Sequence, residues 1–292
     1  MNKFLKMRIQ SPQINMLVFQ LEVVDQIAQY FKIKITHKNM QTFIAFAPYR
    51  RNLIFLRNNK LTKILEKNEY QIRKMLHNKK RSTYHIGFKI KFAIRDNKQV
   101  QLFNDPKKII VLDRRNGHYY SFVKDKPDPE ALEIFTDGCY IHSTQSGGYV
   151  ALIKKNNGKY DLAWGHTNNS SNSTLLELLG AIKGLEQVPN NINKVRIITD
   201  SRYVIKGLTE WIINWKLNDW YTIQGQKVQN IEYWKIFDEL TKNKYIEFQW
   251  IKAHSFHFEN TICDRYAKQI ANRITNKIQK NASNSTSIHK QT

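Results

Sequence analysis

The chain has 292 residues, a mass of 34.7 kDa and 41% hydrophobic residues, enough for one large core or two ordinary ones. Its 47 Lys and Arg outnumber 24 Asp and Glu, and the net charge of +23 favours polyanionic partners, nucleic acid first. No run approaches the roughly 18 apolar residues that cross a bilayer, and Cys139 and Cys263 lie too far apart for a disulfide framework or thiolate zinc site. We therefore expect a soluble protein, without a membrane partner, in a reducing compartment.

The positive charge is concentrated at the N-terminal side. Residues 1–130 carry a net charge of +17, residues 131–270 carry +2 and residues 271–292 carry +4. This distribution predicts two functional parts. The first twenty residues contain no acid, which leaves open a cleaved organellar presequence.

The first part mixes strand and helix signals. Residues 42–46, 88–92 and 109–112 are rich in β-branched and aromatic residues and predict strands, whereas 61–76 predict a helix with a basic outer face. Residues 124–130 combine two prolines with alternating charge, which is typical of a linker. The sequence thus predicts a smaller α+β basic domain over 1–123 and a linker over 124–130.

Two apolar segments after this linker are each followed by an aspartate. Residues 132–135 lead to Asp137, and residues 195–198 lead to Asp200. One such aspartate is ordinarily a turn or helix-capping residue. Two together indicate a site, because an acid at the end of a core strand loses hydration unless a cation meets it.

A third acid lies in an apolar helix predicted from residue 173. Glu177 is the single acid in that stretch, and the positions three and four residues away are small. A buried, unpaired carboxylate is unfavourable unless it binds a cation, so we expect the small neighbours to leave room for a ligand. These neighbours are Ser173, Thr174, Gly180 and Ala181.

The last segment predicts a strand over 246–252, a loop containing His254 and a helix over 263–272 with Asp264 in its first turn. Four carboxylates without a histidine or cysteine cluster suit Mg²⁺ or Mn²⁺. Two such ions can activate water and steady the leaving oxygen of a phosphodiester. In so basic a protein this indicates a nuclease or polynucleotidyl transferase, whereas a carboxylate pair acting on sugars leaves the charge unexplained.

Residues 132–272 resemble ribonuclease HI, which cuts the RNA strand of RNA–DNA hybrids. The resemblance lies in five ordered blocks, at 134–138 with 147–149, 176–178, 199–204, 211–216, and 250–254 running on to 259–264. It implies an α/β ribonuclease H-like catalytic domain over 131–275, with a mixed sheet and flanking helices, and it leaves 276–292 as a disordered tail. The implied product ends are a 5′-phosphate and a 3′-hydroxyl.

The resemblance also implies roles for individual residues. Asp137, Glu177, Asp200 and Asp264 would bind two Mg²⁺ ions, with Mn²⁺ as the alternative and Asp137 as the bridging ligand. His254 would sit on a mobile loop and assist proton transfer, whereas His257 is expected to be an ordinary loop residue. The implied substrate-binding residues are Asn260 near the RNA strand, Trp215 and Lys216 in a helical handle over 211–230, and Ser143 and Thr174 towards the minor groove of the hybrid.

The handle has few cationic residues, so we expect the basic N-terminal part to supply most of the contacts with the phosphates of the nucleic acid. The alternative is that its charges are ordinary solvated ones. The predicted patches are Arg50 and Arg51, Lys79, Lys80 and Arg81, and Arg114 and Arg115, interleaved with Tyr49, Tyr84 and Tyr119.

Two other functions remain open from the sequence. One is a nuclease of the same fold acting on another nucleic acid, and the other is a catalytically silent nucleic-acid-binding protein. Residues 140–146 and 173–175 depart from the family pattern where the 2′-hydroxyls of RNA are contacted, so they bear on substrate selectivity. We expect a cytoplasmic monomer, or a nuclear or organellar one if the host is eukaryotic.

Overall fold

A computed structural model describes residues 16–50, 52–77, 83–95, 105–114, 120–155, 157–168, 172–223, 225–255 and 257–288. Within these ranges the chain forms two compact units. We call residues 16–95 with 206–234 the N-terminal unit, and residues 105–205 with 235–288 the C-terminal unit. None of the helices in the described ranges is both long and apolar enough to cross a membrane.

The N-terminal unit contains a five-stranded antiparallel sheet in the order β4-β3-β2-β1-β5. The predicted strands at 42–46 and 88–92 are confirmed as parts of β3 and β5. The strand bounds are β1 Met16–Ile27, β2 Tyr30–His37, β3 Met40–Ala47, β4 Asn52–Phe55 and β5 Lys89–Arg95.

One face of this sheet is covered by two short helices, α1 Lys60–Lys67 and α2 Glu69–His77. The predicted single helix over 61–76 is interrupted at Asn68, whose side-chain amide donates to the Ile64 carbonyl at 2.9 Å. Alternating strand residues such as Leu21, Ile33 and Phe92 pack against the helices in one core. Hydrophobic alternation therefore places one face inside and leaves the other open.

A π-helical segment, Gly207–Trp211, leads into the handle, which continues as α5 Ile212–Leu217 and belongs to the N-terminal unit. Asn214 accepts a 2.6 Å hydrogen bond from the Ala93 amide and donates to the Ala93 carbonyl at 3.3 Å. Asn218 forms the same pair with Lys91, at 3.2 and 2.7 Å. Residues four apart on a helix thus satisfy residues two apart on edge strand β5, which covers an otherwise unpaired edge.

The C-terminal unit has a seven-stranded mixed sheet in the order β10-β9-β8-β11-β12-β6-β7. Strand β11 pairs in parallel with β8 on one side and β12 on the other, while the remaining pairings are antiparallel. The strand bounds are β6 Ile109–Asp113, β7 Tyr120–Lys124, β8 Leu132–Ile141, β9 Ser146–Lys154, β10 Tyr160–Thr167, β11 Lys194–Thr199 and β12 Tyr245–Trp250.

Helices flank this sheet, as the sequence predicts. The helix α3 packs on β8 and β9, and α7 packs against β8 and β9 as well. The predicted architecture, a mixed α/β sheet with flanking helices preceded by a smaller α+β part, is confirmed. The remaining helices are α3 Ser173–Glu186, α4 Arg202–Lys206, α6 Ile231–Thr241 and α7 Phe258–Ile288.

The predicted boundary at 124–130 has to be moved. The predicted strand at 109–112 is confirmed as β6, but β6 pairs with β12, and β7 follows it in the sheet of the C-terminal unit. Residues 125–131 are therefore a connection between two strands of one sheet, and β6 covers the edge of β12 that would otherwise be open. In the described ranges, the first segment of the N-terminal unit ends at β5, and the boundary between the units therefore lies between β5 and β6.

The predicted tail also begins too early. We expected disorder from residue 276, but α7 runs to Ile288. Buried Ala267, Ile270, Ala271 and Ile274 recur at helical spacing and hold the first half of this helix on the sheet.

Two residues from the predicted basic patches are buried. The Arg114 guanidinium donates to the Asp238 carboxylate at 2.7 Å and to the Thr241 hydroxyl at 3.0 Å. Tyr84 lies in the core beneath the N-terminal sheet. Neither side chain is available to an external ligand, because each is buried and already contacts other residues of the protein. Arg51, Lys79, Lys80, Arg81, Arg115 and Tyr119 lie outside the described residues.

Candidate active site

Asp137 lies within the central strand β8. The sequence predicts that this strand ends at the aspartate, but pairing with β9 continues to Ile141. The side chain is buried, at 7% exposure, and its Oδ1 accepts a 2.7 Å hydrogen bond from the Gly138 amide. A carboxylate at this depth has one backbone donor and little water to stabilise its charge.

Helix α3 brings Glu177 beside Asp137. A Cβ atom on Gly138 would lie 2.6 Å from the Leu176 carbonyl carbon and 2.7 Å from the Glu177 nitrogen, so only glycine permits this approach. Gly180 likewise faces the Asp137 carbonyl, with 3.2 Å between its ideal Cβ position and that oxygen. We expected the small residues around Glu177 to leave room for a ligand, but Gly180 lets the helix approach the strand.

The start of α3 is fixed by Asn172, whose side chain accepts from the Leu175 amide at 3.0 Å and from the Thr174 hydroxyl at 2.7 Å. The sequence predicts capping by Ser173 or Thr174, but the cap is one residue earlier. Thr174 is predicted to contact substrate, but in the structure its hydroxyl donates its hydrogen bond to the capping residue Asn172.

Asp200 follows β11, as predicted. The Thr199 hydroxyl accepts from the Ser201 amide at 3.1 Å, and the Trp250 indole donates to the Asp200 carbonyl at 3.1 Å. The backbone is therefore held on both sides of the acid. Because β8 and β11 are parallel neighbours, Asp200 and Asp137 meet at the same region of the sheet.

Asp137, Glu177 and Asp200 form a compact acidic cluster. One carboxylate oxygen from each lies within 4.8 Å of the other two. The Glu177 Oε2 is buried and has no hydrogen-bond partner among the described residues. An orphaned buried oxygen beside two further carboxylates fits a cation, and an all-oxygen donor set fits Mg²⁺ or Mn²⁺ better than zinc.

Asp264 stands apart from this cluster. Its Oδ2 accepts a 2.7 Å hydrogen bond from Lys268, one helical turn further along α7. Its charge still acts on the cluster and contributes to raising the pKa values of Asp137, Glu177 and Asp200. The four predicted acids thus divide into three neighbours and one more distant acid that a lysine neutralises. Lys268 was not predicted, although its position four residues after Asp264 is a recognisable ion-pair spacing.

The cluster holds its protons unusually strongly. Burial, followed by the charge of Asp200, raises the pKa of Asp137 to about 7. Burial and the charges of Asp137 and Asp200 raise the pKa of Glu177 well above its usual range. Burial raises the pKa of Asp200 as well, while His254 partly opposes that rise. A bound divalent cation would relieve the same repulsion.

These pKa shifts predict a loss of metal-free stability with rising pH. Because the folded protein keeps a proton on Asp137 that the unfolded chain releases from about pH 4, the free energy of unfolding should fall between pH 4 and 7. A shift of about three pKa units sets an upper bound of about 4 kcal/mol. Urea unfolding in EDTA across this range measures it, with Asp137→Asn as the comparison.

Added Mg²⁺ should restore stability at pH 8, because the ion binds only the folded cluster. Asp137→Asn should show a flatter pH dependence than the unsubstituted protein in EDTA. Parallel pH profiles for the two proteins would contradict the raised pKa.

His254 and Asn260 lie after β12 in the C-terminal unit. His254 is exposed in a turn and adopts a positive φ of 53°, and its effect on the pKa of Asp200 places it near that acid. Asn260 lies one turn before Asp264 on α7 and is buried, and its Oδ1 has no hydrogen-bond partner in the described ranges. His257 packs its ring 5.5 Å from that of Phe135.

The other predicted substrate residues lie on two further elements. Ser143 is exposed in a 3₁₀ turn, His142–Thr144, between β8 and β9. Trp215 packs its ring 5.2 Å from Trp234, and exposed Lys216 follows it on α5. Both handle residues belong to the N-terminal unit.

A central mixed sheet flanked by helices, carrying three clustered carboxylates and no histidine or thiolate among them, defines an α/β protein with an acidic cation-type site. Residues 129–272 match the family model described as RNase H. The chain is 36% identical over 146 residues to a protein named Ribonuclease HI from Haemophilus ducreyi, covering 50% of this chain and 94% of that protein.

A protein named Ribonuclease H from Pseudomonas savastanoi pv. phaseolicola is 37% identical over 144 residues, covering 49% of this chain and 92% of that protein. A third, named Ribonuclease H, from Aeromonas hydrophila is 37% identical over 140 residues, covering 48% of this chain and 89% of that protein. The chain therefore belongs to the ribonuclease H family. The matched regions leave most of the N-terminal unit outside the similarity.

Proposed function

We propose that this protein is an endoribonuclease that hydrolyses the RNA strand of RNA–DNA hybrids. The observation that carries the proposal is the meeting of Asp137, Glu177 and Asp200 within 4.8 Å, in a chain whose relatives are named ribonuclease HI. The net charge of +23 supports a nucleic-acid substrate.

Asp137, Glu177 and Asp200 would hold divalent cations, Mg²⁺ or Mn²⁺, and Asp264 would add negative charge from α7. When bound, a pair of such ions activates water and stabilises charge on the leaving oxygen. The protein supplies the preorganisation: Gly138 lets α3 approach, and the Trp250 indole holds the Asp200 backbone. These side chains are thus aligned before substrate arrives.

His254 is the proton carrier in this proposal. Its exposed turn borders the acid cluster, and an imidazole ring can both accept and donate a proton. A histidine there can accept or donate a proton as the scissile phosphodiester is opened. Asn260 offers a buried amide oxygen that has no hydrogen-bond partner among the described residues, which supports a role in positioning substrate from α7.

A direct test incubates the protein with four labelled substrates in Mg²⁺: RNA–DNA hybrid, duplex RNA, duplex DNA and single-stranded RNA. We expect cleavage of the RNA in the hybrid, with 5′-phosphate and 3′-hydroxyl ends, and loss of cleavage in EDTA. Preferential cleavage of duplex RNA or duplex DNA would show that the substrate is that duplex and not the hybrid. Binding without cleavage of any substrate would instead favour the catalytically silent protein.

We also propose a monomer in a reducing compartment such as the cytoplasm. Cys139 and Cys263 are both free thiols in the structure, and free thiols persist where glutathione keeps them reduced. Size-exclusion chromatography with light scattering tests the monomer, and a dimer mass would contradict it.

A further inference from the structure

Among the described residues of the N-terminal unit, helices cover one face of the sheet and none covers the other. The strand residues that alternate with the core point to this side, and we call the surface they form, with Arg57, the open face. Its cross-strand neighbours follow from the strand register, in which Glu22 lies opposite Lys34 and Lys89, and Gln20 lies opposite Thr36 and Lys91. The open face includes Phe43 and the polar or charged residues Gln20, Glu22, Lys32, Lys34, Thr36, Arg57, Lys89 and Lys91, and the same alternation places Val18, Tyr30, Ala45 and Ile54 on this side.

Positive charge dominates the open face. It carries four lysines and one arginine against Glu22, which binds Lys89 at 2.9 Å, with Asp25 next to it opposite Lys32. Lys34, Lys91 and Arg57 form no salt bridge within the described ranges. Cations on a folded surface without acidic partners attract an anion from outside the molecule.

Phe43, an aromatic residue of the open face, holds cations in place. The Arg57 guanidinium lies 4.6 Å from the centre of the Phe43 ring, and the Lys32 ammonium lies 5.5 Å from it. Because cations already contact the ring, it is poorly placed to stack on a nucleic-acid base. The face therefore favours contact with phosphates rather than with unstacked bases.

Two lysine pairs give this surface an extended form. Lys32 and Lys34 lie on β2, and Lys89 and Lys91 lie on β5, with about 6.6 Å between the members of each pair along the strand. Strand β1 separates the pairs, which puts them about 10 Å apart across the sheet. Such an array can contact several phosphates of one duplex at once.

The handle borders the same surface. A groove of about 510 Å³ lies between the β5 end of the open face and the turn after α5, and its lining includes Lys89, Lys91, Asp219 and half-exposed Tyr221. Residues 211–230 themselves carry only Lys216 and Lys227 against Asp219. Strand β5 thus brings two lysines to a handle that has few of its own.

We propose that the open face binds the phosphate backbone of the RNA–DNA hybrid, without reading its sequence, as a second binding surface outside the acidic cluster. The inference rests on the proposed function for the identity of the duplex. It rests on the cation array for the mode of binding. The residues that carry it lie in a region that the ribonuclease H similarity does not cover.

The test compares Lys34→Gln/Lys91→Gln with a matched control, Lys63→Gln/Lys74→Gln, whose exposed lysines lie on the helices that cover the opposite face. Hybrid affinity is measured in EDTA, without cleavage, as KCl is raised from about 50 to 200 mM. Losing two phosphate contacts should reduce the slope of log Kd against log salt by about 1.8, and weaken binding at the lowest salt by about tenfold or more. The control should keep the full slope.

Equal slopes for the two double variants would overturn the proposal, and so would a reduced slope for single-stranded DNA alone. Because binding is measured in EDTA, the result is independent of catalysis. A reduced hybrid slope in a protein that cleaves no hybrid would leave the open face standing and reject the proposed function. Cleavage of the hybrid, together with equal salt slopes for the two double variants, would support the proposed function and reject the open face as a binding surface.

Discussion

Replacing Asp137 with asparagine should lower the rate of hybrid cleavage by more than about a thousandfold, a loss of over about 4 kcal/mol in transition-state stabilisation. Asp137 is buried at the centre of the acidic cluster, within 4.8 Å of its two neighbours through one oxygen of each. An amide cannot replace the charge that holds a divalent cation there. Single-turnover rates at saturating Mg²⁺ measure the effect.

A matched control is Asp161→Asn, since Asp161 is exposed on β10 and pairs with Lys155 at 2.7 Å. That variant should keep its cleavage rate within about twofold, because an exposed pair contributes little. Asp264→Asn should fall between the two and recover as Mg²⁺ is raised, because Lys268 already neutralises Asp264. Cleavage by Asp137→Asn at a rate near that of the unsubstituted protein would overturn the site assignment.

The same substitution should stabilise the metal-free protein at pH 8. Burial and the charge of Asp200 raise the pKa of Asp137 to about 7, so ionising it at higher pH disfavours the folded state. Asparagine removes that ionisation. A site that is unfavourable without its ligand, yet required for activity, is typical of strained functional centres.

Replacing Glu247 with alanine should lower the free energy of unfolding by about 3–5 kcal/mol. Glu247 is fully buried on β12 and accepts hydrogen bonds from the Arg196 Nε at 2.9 Å and the Asp128 amide at 3.1 and 3.2 Å. It also pairs with Lys124. Removing the carboxylate leaves the Arg196 guanidinium buried beside one fewer anion, and releases the residues that join β7 to β8.

The comparison for this variant is Glu133→Ala, since Glu133 also binds Arg196, at 2.7 Å, but its side chain is 25% exposed. That change should lower the free energy of unfolding by only about 1 kcal/mol, because solvent and Glu247 still stabilise the arginine. Urea unfolding at pH 7 in Mg²⁺ measures both. Equal losses for the two variants would show that burial of the Glu247 network is not what stabilises this connection.

The Glu247 network also bears on how the protein should be divided for study. Residues 109–124 form two strands of the C-terminal sheet, and the connection that follows is tied to β11 and β12 through Asp128, Arg196 and Glu247. A deletion at the predicted linker would remove β6 and β7 and expose the edge of β12. The handle, in turn, satisfies the β5 edge through Asn214 and Asn218, so the N-terminal unit is built from two segments far apart in the sequence.

Local sequence patterns were sufficient to place the acids and half of the described strands. Alternation and apolar runs identify β3, β5, β6, β8, β11 and β12, because the hydrophobic pattern of a strand follows from which of its faces are buried. Asp137, Glu177 and Asp200 were found because an acid in apolar surroundings needs a compensating partner. The apolar residues on either side of each acid are visible in the sequence alone. Their ordered blocks also identify the ribonuclease H family.

Only the tertiary structure decided which elements share an edge and which charges are already paired. Arg114 looks like part of a basic patch until Asp238, far along the chain, is seen to neutralise it. The small residue Gly180 suggests room for a ligand until the helix is seen to close on β8. The open face could not be predicted because its cations come from three separate segments, and a surface potential depends on neighbours in space rather than in sequence.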